Sequence, residues 1–354
     1  MSTYLVTGGA GFIGSALVRR LVRDGTNTVV NVDKLTYAGG ADSVAEVVGA
    51  PGYHFARVDV CDAESLRALF ARFRPEAVLH LAAESHVDRS IDAPAAFVQT
   101  NVVGTFTVLH EAHRYWTALP EGMQGDFRLV LVSSDEVYGS LGARGVFTEA
   151  SPHRPNSPYA ATKAAADHLG RAWYQTYGLP VITTHASNNY GPFQFPEKLI
   201  PLAIQRAVEG RPLPVYGQGA NVRDWLYVDD HVDALVAALA RGRPGESYNV
   251  GGGAERTNLD VVRAVCALVD ELAPDSRIGP RAALIHFVED RPGHDFRYAL
   301  DTSKAARELG WGPRESFDDG LRKTVRWYLD HQDWCARVQS GPYRGQRLGL
   351  GARA

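Results

Sequence analysis

Three short runs in this 354-residue chain bring reactive side chains together at spacings that suit chemistry. Tyr159-Ala-Ala-Thr-Lys163 places a phenol and an ammonium on one helix face at i and i+4. A free tyrosine has a pKa of about 10, so a phenol acting as a base near neutrality needs a neighbouring cation, and Lys163 can supply it. Such a pair also arises by chance on helix surfaces. Ser133-Ser134-Asp135-Glu136 sets two carboxylates beside two hydroxyls. Carboxyl groups in unlike environments divide acid and base roles, one protonated and the other ionised. An isolated Asp-Glu pair is more often a solvated turn, and simple alcohol oxidation has no use for one. The third run, Gly8-x-x-Gly11-x-x-Gly14, permits a tight turn, backbone approach to a pyrophosphate and close packing of a helix on a sheet.

These residues act together only if the fold gathers them. Short β-branched runs alternate with helix-compatible segments through the first half of the chain, the pattern of βαβ units and a parallel sheet. Strands are predicted at Tyr4 to Val6, Thr28 to Val32, His54 to Val58, Ala77 to Leu81, Leu129 to Ser133 and Pro180 to Thr184. Helices are predicted at Ala63 to Arg74, Ala95 to Tyr115 and Pro158 to Tyr177, where apolar residues recur at three and four. The fold class is α/β: a Rossmann-type doubly wound parallel sheet with a smaller C-terminal α/β substrate-binding domain. Residues 1–190 form the dinucleotide-binding domain and 191–354 mainly the second. The chain returns to the first near 222–250, through a strand Trp225 to Val228 and a helix Asp229 to Ala240 capped by Asp229.

In that frame the glycine run follows the first strand and opens the first helix. Asp33 ends the second strand roughly 20 residues on, where a carboxylate accepts hydrogen bonds from the adenosine ribose and repels a 2′-phosphate. NAD is therefore expected over NADP, with Lys34 alongside keeping NADP open. Asp59 and Val60 end the third strand, positioned for the adenine, although a capping role for Asp59 fits as well. Ala82 and Ala83, past the fourth strand, are small enough to let the nicotinamide-side ribose or phosphate pass. Ser134, Asp135 and Glu136 end the fifth strand, on the rim where open α/β sheets gather ligands, and a nicotinamide there would add to the effect of Lys163 on Tyr159.

Composition narrows the rest. With 45% hydrophobic and 22% charged residues the chain builds a full core. Thirty-seven basic against forty acidic residues, a net charge of -3, are too few positive charges for a nucleic-acid binder. Cys61, Cys266 and Cys335 show no metal or redox spacing, and His80 and His86 lack further ligands at suitable spacing, so no metal is expected. No run is long enough to span a bilayer and no basic leader opens the chain, so a cytoplasmic protein is expected. The tail from Gly341 to Ala354 is expected to be partly mobile.

The motifs together resemble the extended short-chain dehydrogenase/reductase family and, within it, the dTDP-glucose 4,6-dehydratases. The resemblance runs from Thr7-Gly-Gly-Ala-Gly-Phe-Ile-Gly14 to Arg347-Leu-Gly-Leu350. It passes through Asp33-Lys-Leu-Thr-Tyr-Ala-Gly39, Ala82-Ala-Glu-Ser-His-Val-Asp-Arg-Ser90, Asp135-Glu-Val-Tyr-Gly139 and Tyr159 with Lys163. It continues in Asn188-Asn-Tyr-Gly-Pro192, Pro196-Glu-Lys-Leu-Ile-Pro201, Gly219-Ala-Asn-Val-Arg-Asp-Trp225 and Asp290-Arg-Pro-Gly-His-Asp295. It implies that dTDP-glucose loses water by internal hydride transfer from C4 to C6, with Tyr159 taking the C4 hydroxyl proton, Glu136 the C5 proton, and Asp135 protonating the departing C6 hydroxyl. It adds Phe12, Ile13, Thr36, Gly39, Leu81 and Thr100 to the cofactor set. Ser85 and Ser134 are implied to bind glucosyl hydroxyls; Asn188, Asn189, Glu197, Lys198 and Leu199 the sugar and first phosphate; Arg223 and Arg291 the diphosphate. Pro214, Tyr216, Asn258, His294 and Tyr298 are implied around the nucleotide. Ser134 stands where the family usually has Thr, which keeps the hydroxyl and loses a methyl.

A homodimer is implied too, through a four-helix bundle of Ala95 to Tyr115 and Pro158 to Tyr177. A UDP-hexose 4-epimerase shares the fold, NAD and the Tyr-Lys pair, but has no use for an acid and base aimed at C5 and C6. A UDP-glucose 4,6-dehydratase would run the same chemistry on a uridine nucleotide, and motifs do not reveal thymine-versus-uracil recognition. A non-catalytic sensor of NAD or nucleotide sugar would have no need of Tyr159, Lys163, Asp135 and Glu136 together.

Overall fold

The computed structural model describes residues 2–340 together with 348 and 349. The expected mobile tail otherwise lies outside the described residues. Six early strands follow the predicted runs closely: β1 (Thr3–Thr7), β2 (Thr28–Val32), β3 (Tyr53–Ala56), β4 (Ala77–His80), β5 (Arg128–Ser134) and β6 (Val181–Ala186). Five strands follow: β7 (Asn188–Tyr190), β8 (Leu213–Tyr216), β9 (Val222–Tyr227), β10 (Ser247–Val250) and β11 (Glu255–Thr257), with β12 (Ile285–Val288) last. The large sheet runs β3-β2-β1-β4-β5-β6-β10, every pair parallel. Its strands are apolar without alternation because both faces are covered. Helices Phe12–Arg23 and Val228–Arg241 bury Leu17, Leu21, Val232 and Leu235 against one face. Helices Ala63–Phe73 and Gly104–Thr117 bury Leu66, Phe70, Val108 and Leu109 against the other. Strand order reverses between β1 and β4, so their carboxyl ends open a crevice, the place such sheets bind ligands.

A second core gathers Ile204, Trp225, Val265, Leu321 and Val325 from helices Leu199–Glu209, Asn258–Leu272 and Phe317–Asp330 and from β9. Two small sheets flank it, β11-β9-β7 and β12-β8.

Three details depart from expectation. The strand expected at Trp225 to Val228 does not return to the large sheet: β9 pairs with β7 and β11, and β10 is the strand that joins β6. Residues 191–221 carry the chain away from the sheet, and only the helix after β9 brings it back. Asp229 is not the cap of that helix, whose N-cap is Tyr227 in extended backbone; strand runs straight into helix and Asp229 falls in the first turn, where a negative charge still suits the dipole. The helix expected over Ala95 to Tyr115 is interrupted by a π-helical stretch, Val98–Val103, between Pro94–Phe97 and Gly104–Thr117. Within that stretch Asn101 is buried: its Oδ1 accepts from Glu84 N at 2.8 Å and its Nδ2 donates to Glu84 O and Thr162 Oγ1, each at 2.9 Å. The irregular turn thus ties the segment after β4 to the helix Pro158–Tyr177.

Candidate active site

The glycine run sits between β1 and the helix Phe12–Arg23. Gly8 has φ +71°, and a Cβ there would lie 2.6 Å from Ala82 N; at Gly14 it would lie 2.1 Å from Gly8 O. Only backbone fits this cradle, which leaves the N–H groups of a helix N-terminus free for an anion. The adjoining cavity, about 200 Å³, is lined by Gly8, Gly11, Phe12, Ile13, Gly14, Asp33, Lys34, Thr36, Gly39, Val60, Leu81, Ala82, Ala83 and Thr100. Ser85, expected at the sugar, lines it as well. The Asp33 carboxylate accepts from Ala10 N at 3.0 Å and Leu35 N at 2.8 Å, so it also holds the loop it faces. Asp59 is not among the residues lining this cavity; its Oδ2 lies 3.3 Å from Lys34 Nζ and its Oδ1 accepts from Cys61 N, so it braces Lys34 and the turn. Long, mostly apolar, glycine-floored and closed by an acidic strand end, the cavity fits NAD. His80 is a core residue bonded to Thr7 and Thr105.

At the end of β5 the chain makes one 3-10 turn, Asp135–Tyr138, capped by Ser134, whose Oγ accepts from Glu136 N. The two carboxylates of that turn sit in unequal fields. Asp135 is buried, and its Oδ2 has no hydrogen-bond partner among the described residues. Burial first, then the charges of Glu136 and Asp224, push its pKa well above the carboxylate range. Glu136 is also raised by burial, but Arg291, Arg223 and Lys198 all favour its ionised form. Asp135, raised further, is the better holder of a proton, and Glu136, facing three cations, is the more readily ionised of the two.

Tyr159 opens the helix Pro158–Tyr177, started by Ser157, whose Oγ accepts from Ala160 N at 3.1 Å, and by Pro158 at the first turn. The phenol is buried, which raises its pKa; Glu136 raises it further and the Ser134 hydroxyl opposes. Lys163, one turn further on, donates through Nζ to Val132 O at 2.7 Å, and burial lowers its pKa. Neither Tyr159 nor Lys163 lines the dinucleotide cavity.

A second cavity, about 180 Å³, is lined by Glu136, Asn188, Glu197, Lys198, Leu199, Pro214, Tyr216, Arg223, Asn258, Arg291 and His294. Its cations are preset: Arg223 donates to Asp295 O at 2.9 Å, Arg291 pairs with buried Asp88, and Asp88 also accepts from Tyr216 OH at 2.8 Å. Burial and the neighbouring Arg291 lower the His294 pKa to about 4, so its imidazole is neutral. Glu197 and Lys198 line both cavities. The Glu197 carboxylate is already engaged, by Tyr37 OH at 3.1 Å and Arg89 Nε at 2.9 Å, and acts as a strut; Lys198 Nζ donates to Ser85 O. Asn189 and Tyr298 are off the wall: Asn189 bonds His231 and Ser187, and Tyr298 OH donates to Asp295 while its ring lies under Arg223. His86, Asp88 and Trp225 line the cavity unanticipated. All three stood inside recognised motifs, but a motif does not say which way a side chain points. Asn101 carried no signal at all.

A GDP-mannose 4,6 dehydratase family profile matches residues 5–324. The dTDP-glucose 4,6-dehydratase of Neisseria meningitidis serogroup B is 55% identical over 354 residues, covering 99% of this chain and 100% of that protein. DesIV, a dTDP-glucose 4,6-dehydratase from Streptomyces venezuelae solved with NAD bound, superposes with a TM-score of 0.86 at 45% identity, over 95% of this chain and 99% of that one. The UDP-glucose 4-epimerase of Thermotoga maritima superposes at 0.81 with 28% identity, over 93% and 99%. The fold is thus common to dehydratases and epimerases, and sequence separates them.

Proposed function

This chain belongs to the GDP-mannose 4,6 dehydratase family and within it to the dTDP-glucose 4,6-dehydratases, and we propose that Tyr159, Glu136 and Asp135 carry the proton transfers of that reaction. The enzyme is an NAD-dependent hydro-lyase: dTDP-glucose becomes dTDP-4-keto-6-deoxyglucose and water, with the hydride moved from C4 to C6. NAD, held by the Gly8 to Gly14 loop, Asp33 and the Ala82-Ala83 edge, supplies a reversible hydride acceptor.

Tyr159 takes the proton of the C4 hydroxyl as the ketone forms, with Ser134 hydrogen-bonded to its oxygen. The ketone acidifies C5, so a carboxylate of modest basicity suffices if it is well placed, and Glu136 removes that proton. Asp135 gives its proton to the departing C6 hydroxyl, which leaves as water; as the hydride reaches C6, C5 takes back a proton from Glu136, and the proton on Tyr159 restores Asp135. One proton arrives on Glu136 as one leaves Asp135, so the pair carries the same net charge before and after, and no additional buried charge has to be created. Lys198, Arg223 and Arg291 receive the diphosphate, the guanidinium forks matching its oxygens.

The observation that carries this reading is the buried carboxylate pair at the end of β5, with Asp135 raised further than Glu136, which lines the sugar-nucleotide cavity among three cations. Purified protein should convert dTDP-glucose to a product lighter by one water without consuming added NAD, and dTDP-glucose should be used in preference to UDP-glucose. An unchanged sugar nucleotide, or an epimer of equal mass, would refute it.

The division into an NAD half (1–190, with β10) and a sugar-nucleotide half (mainly 191–354) is part of the same proposal, supported by the separate cores. So is a homodimer through the helical segments Ala95 to Tyr115 and Pro158–Tyr177: Val98, Val103, Phe106 and Tyr177 are 38 to 51% exposed there, apolar surface a partner would cover. Cytoplasmic residence is proposed from the sugar-nucleotide substrate and the free cysteines; no described helix is long and apolar enough to cross a membrane.

A further inference from the structure

A third cavity, about 310 Å³, lies between the helix Pro158–Tyr177, β6 and the loop leading into that helix, and shares no lining residue with the other two. His153, Asp167 and His185 stand on its wall, each offering one ligand atom within 4.8 Å of the others'. Nothing in the dehydration uses them.

Two observations point to a cation here. Asp167 Oδ1 and His153 Nδ1 are buried without a hydrogen-bond partner among the described residues, a costly arrangement unless something else satisfies them. The second is the direction of the hydrogen bonds behind His185. Asn249 Nδ2 donates to Phe147 O at 3.0 Å, which leaves its Oδ1 to accept the Tyr138 hydroxyl at 2.9 Å. Having given its one proton to Asn249, Tyr138 OH must accept from His185 Nδ1, 3.1 Å away. His185 therefore donates through Nδ1–H, and its Nε2 lies 3.1 Å from Asp167 Oδ2. A positive charge between the two, a proton or a metal cation, satisfies both, and only the metal also meets Asp167 Oδ1 and His153 Nδ1. A histidine held through its far nitrogen by an outer hydrogen bond is also how metal-ligating imidazoles are set.

We infer that His153, Asp167 and His185 form a binding site for a zinc-like divalent transition cation. Imidazole and carboxylate donors without thiolate suit such an ion, and three protein ligands leave a fourth position for water on the half-buried His153 side. The site would pin the loop before Tyr159 to its helix and to β6. Asp167 lies one turn beyond Lys163, and its Oδ2 accepts from Ser133 Oγ at 2.8 Å, so the ion would also steady the end of β5. The ligands come from three separate segments at spacings no motif describes, which is why they carried no signal in the sequence.

Chelator-stripped full-length protein titrated with Zn²⁺ alone, against a competing chromophoric chelator, should bind one equivalent per chain and melt at a higher temperature. His153→Ala should lose both the bound equivalent and the rise in melting temperature while keeping the parent circular dichroism. Asp167→Asn, which retains an oxygen for Ser133 but not the charge, should weaken binding about tenfold or more. Co²⁺ in place of Zn²⁺ should give ligand-field bands without thiolate charge transfer, separating this site from Cys61. No bound equivalent, binding that survives either substitution unchanged, or thiolate bands would each overturn the assignment.

Discussion

The dinucleotide cavity and the sugar-nucleotide cavity meet at Glu197 and Lys198 but are made of different material. The first is floored by backbone from one continuous glycine run, with small residues from the end of β4 along its edge. The second is walled by charged and polar side chains from widely separated segments: Asp88, Glu136, Lys198, Arg223 and Arg291. A wall of backbone admits its ligand by leaving no room for a Cβ, so substitution there is a steric question. A wall of side chains works by charges that set one another, so substitution there is graded and shows in particular kinetic steps.

Substitutions can break or sharpen that contrast. The largest effect belongs to the side-chain wall: Glu136→Gln should lower turnover by about 10²- to 10⁴-fold, the usual worth of a positioned base. NAD should stay bound and deuterium exchange at C5 should vanish; continued exchange would remove Glu136 from the base role. Next comes the backbone wall. Gly8→Ala places a side chain at φ +71° against Ala82 N, a strain of about 1–3 kcal/mol, and should weaken NAD about 5- to 150-fold with little change in dTDP affinity. Equal losses for both ligands would erase the distinction drawn between the cavities.

Arg291→Lys keeps the charge beside Asp88 but loses the planar fork, so KM should rise about tenfold while kcat is nearly held, measured by steady-state kinetics. Asp33→Ala should shift the NADP-to-NAD preference by less than about tenfold. Its melting temperature should also fall, because Ala10 N and Leu35 N lose their acceptor. An unchanged cofactor preference would leave Asp33 as a loop brace only.

The smallest effect is read in stability against pH. The folded state holds a proton on Asp135 that the unfolded chain has released. The stabilisation is full below the ordinary carboxylate pKa and is lost as pH rises through the raised value. Asp135→Asn, neutral at every pH, should flatten that decline in a series of thermal melts; an identical slope in both proteins would show that Asp135 is ionised.

How much of this could be read before folding depended on the range of the forces involved. The helix Pro158–Tyr177 was bounded correctly because its signals are local: Ser157 caps it, Pro158 fits its first turn, and Gly178 takes the left-handed conformation after its end at φ +76°. The glycine loop and the end of β2 were legible for the same reason, since steric rules act within a few residues. The interrupted helix around Asn101 was not, because its cause is a partner segment after β4. Nor were the engaged states of Asp59, Glu197 and Asn189, whose identities were in plain view but whose partners were not.

The contrast is sharpest at Asp135 and Glu136. Adjacent in the chain and alike in chemistry, they announce a reaction that needs both an acid and a base, and family motifs say which. Both are raised by burial and eased by Arg223; which of them holds a proton more firmly is decided by Asp224 beside Asp135 and by Arg291 and Lys198 beside Glu136. Those charges arrive from β9, the loop after β12 and the start of the helix Leu199–Glu209, and only the folded chain brings their fields to bear on one turn.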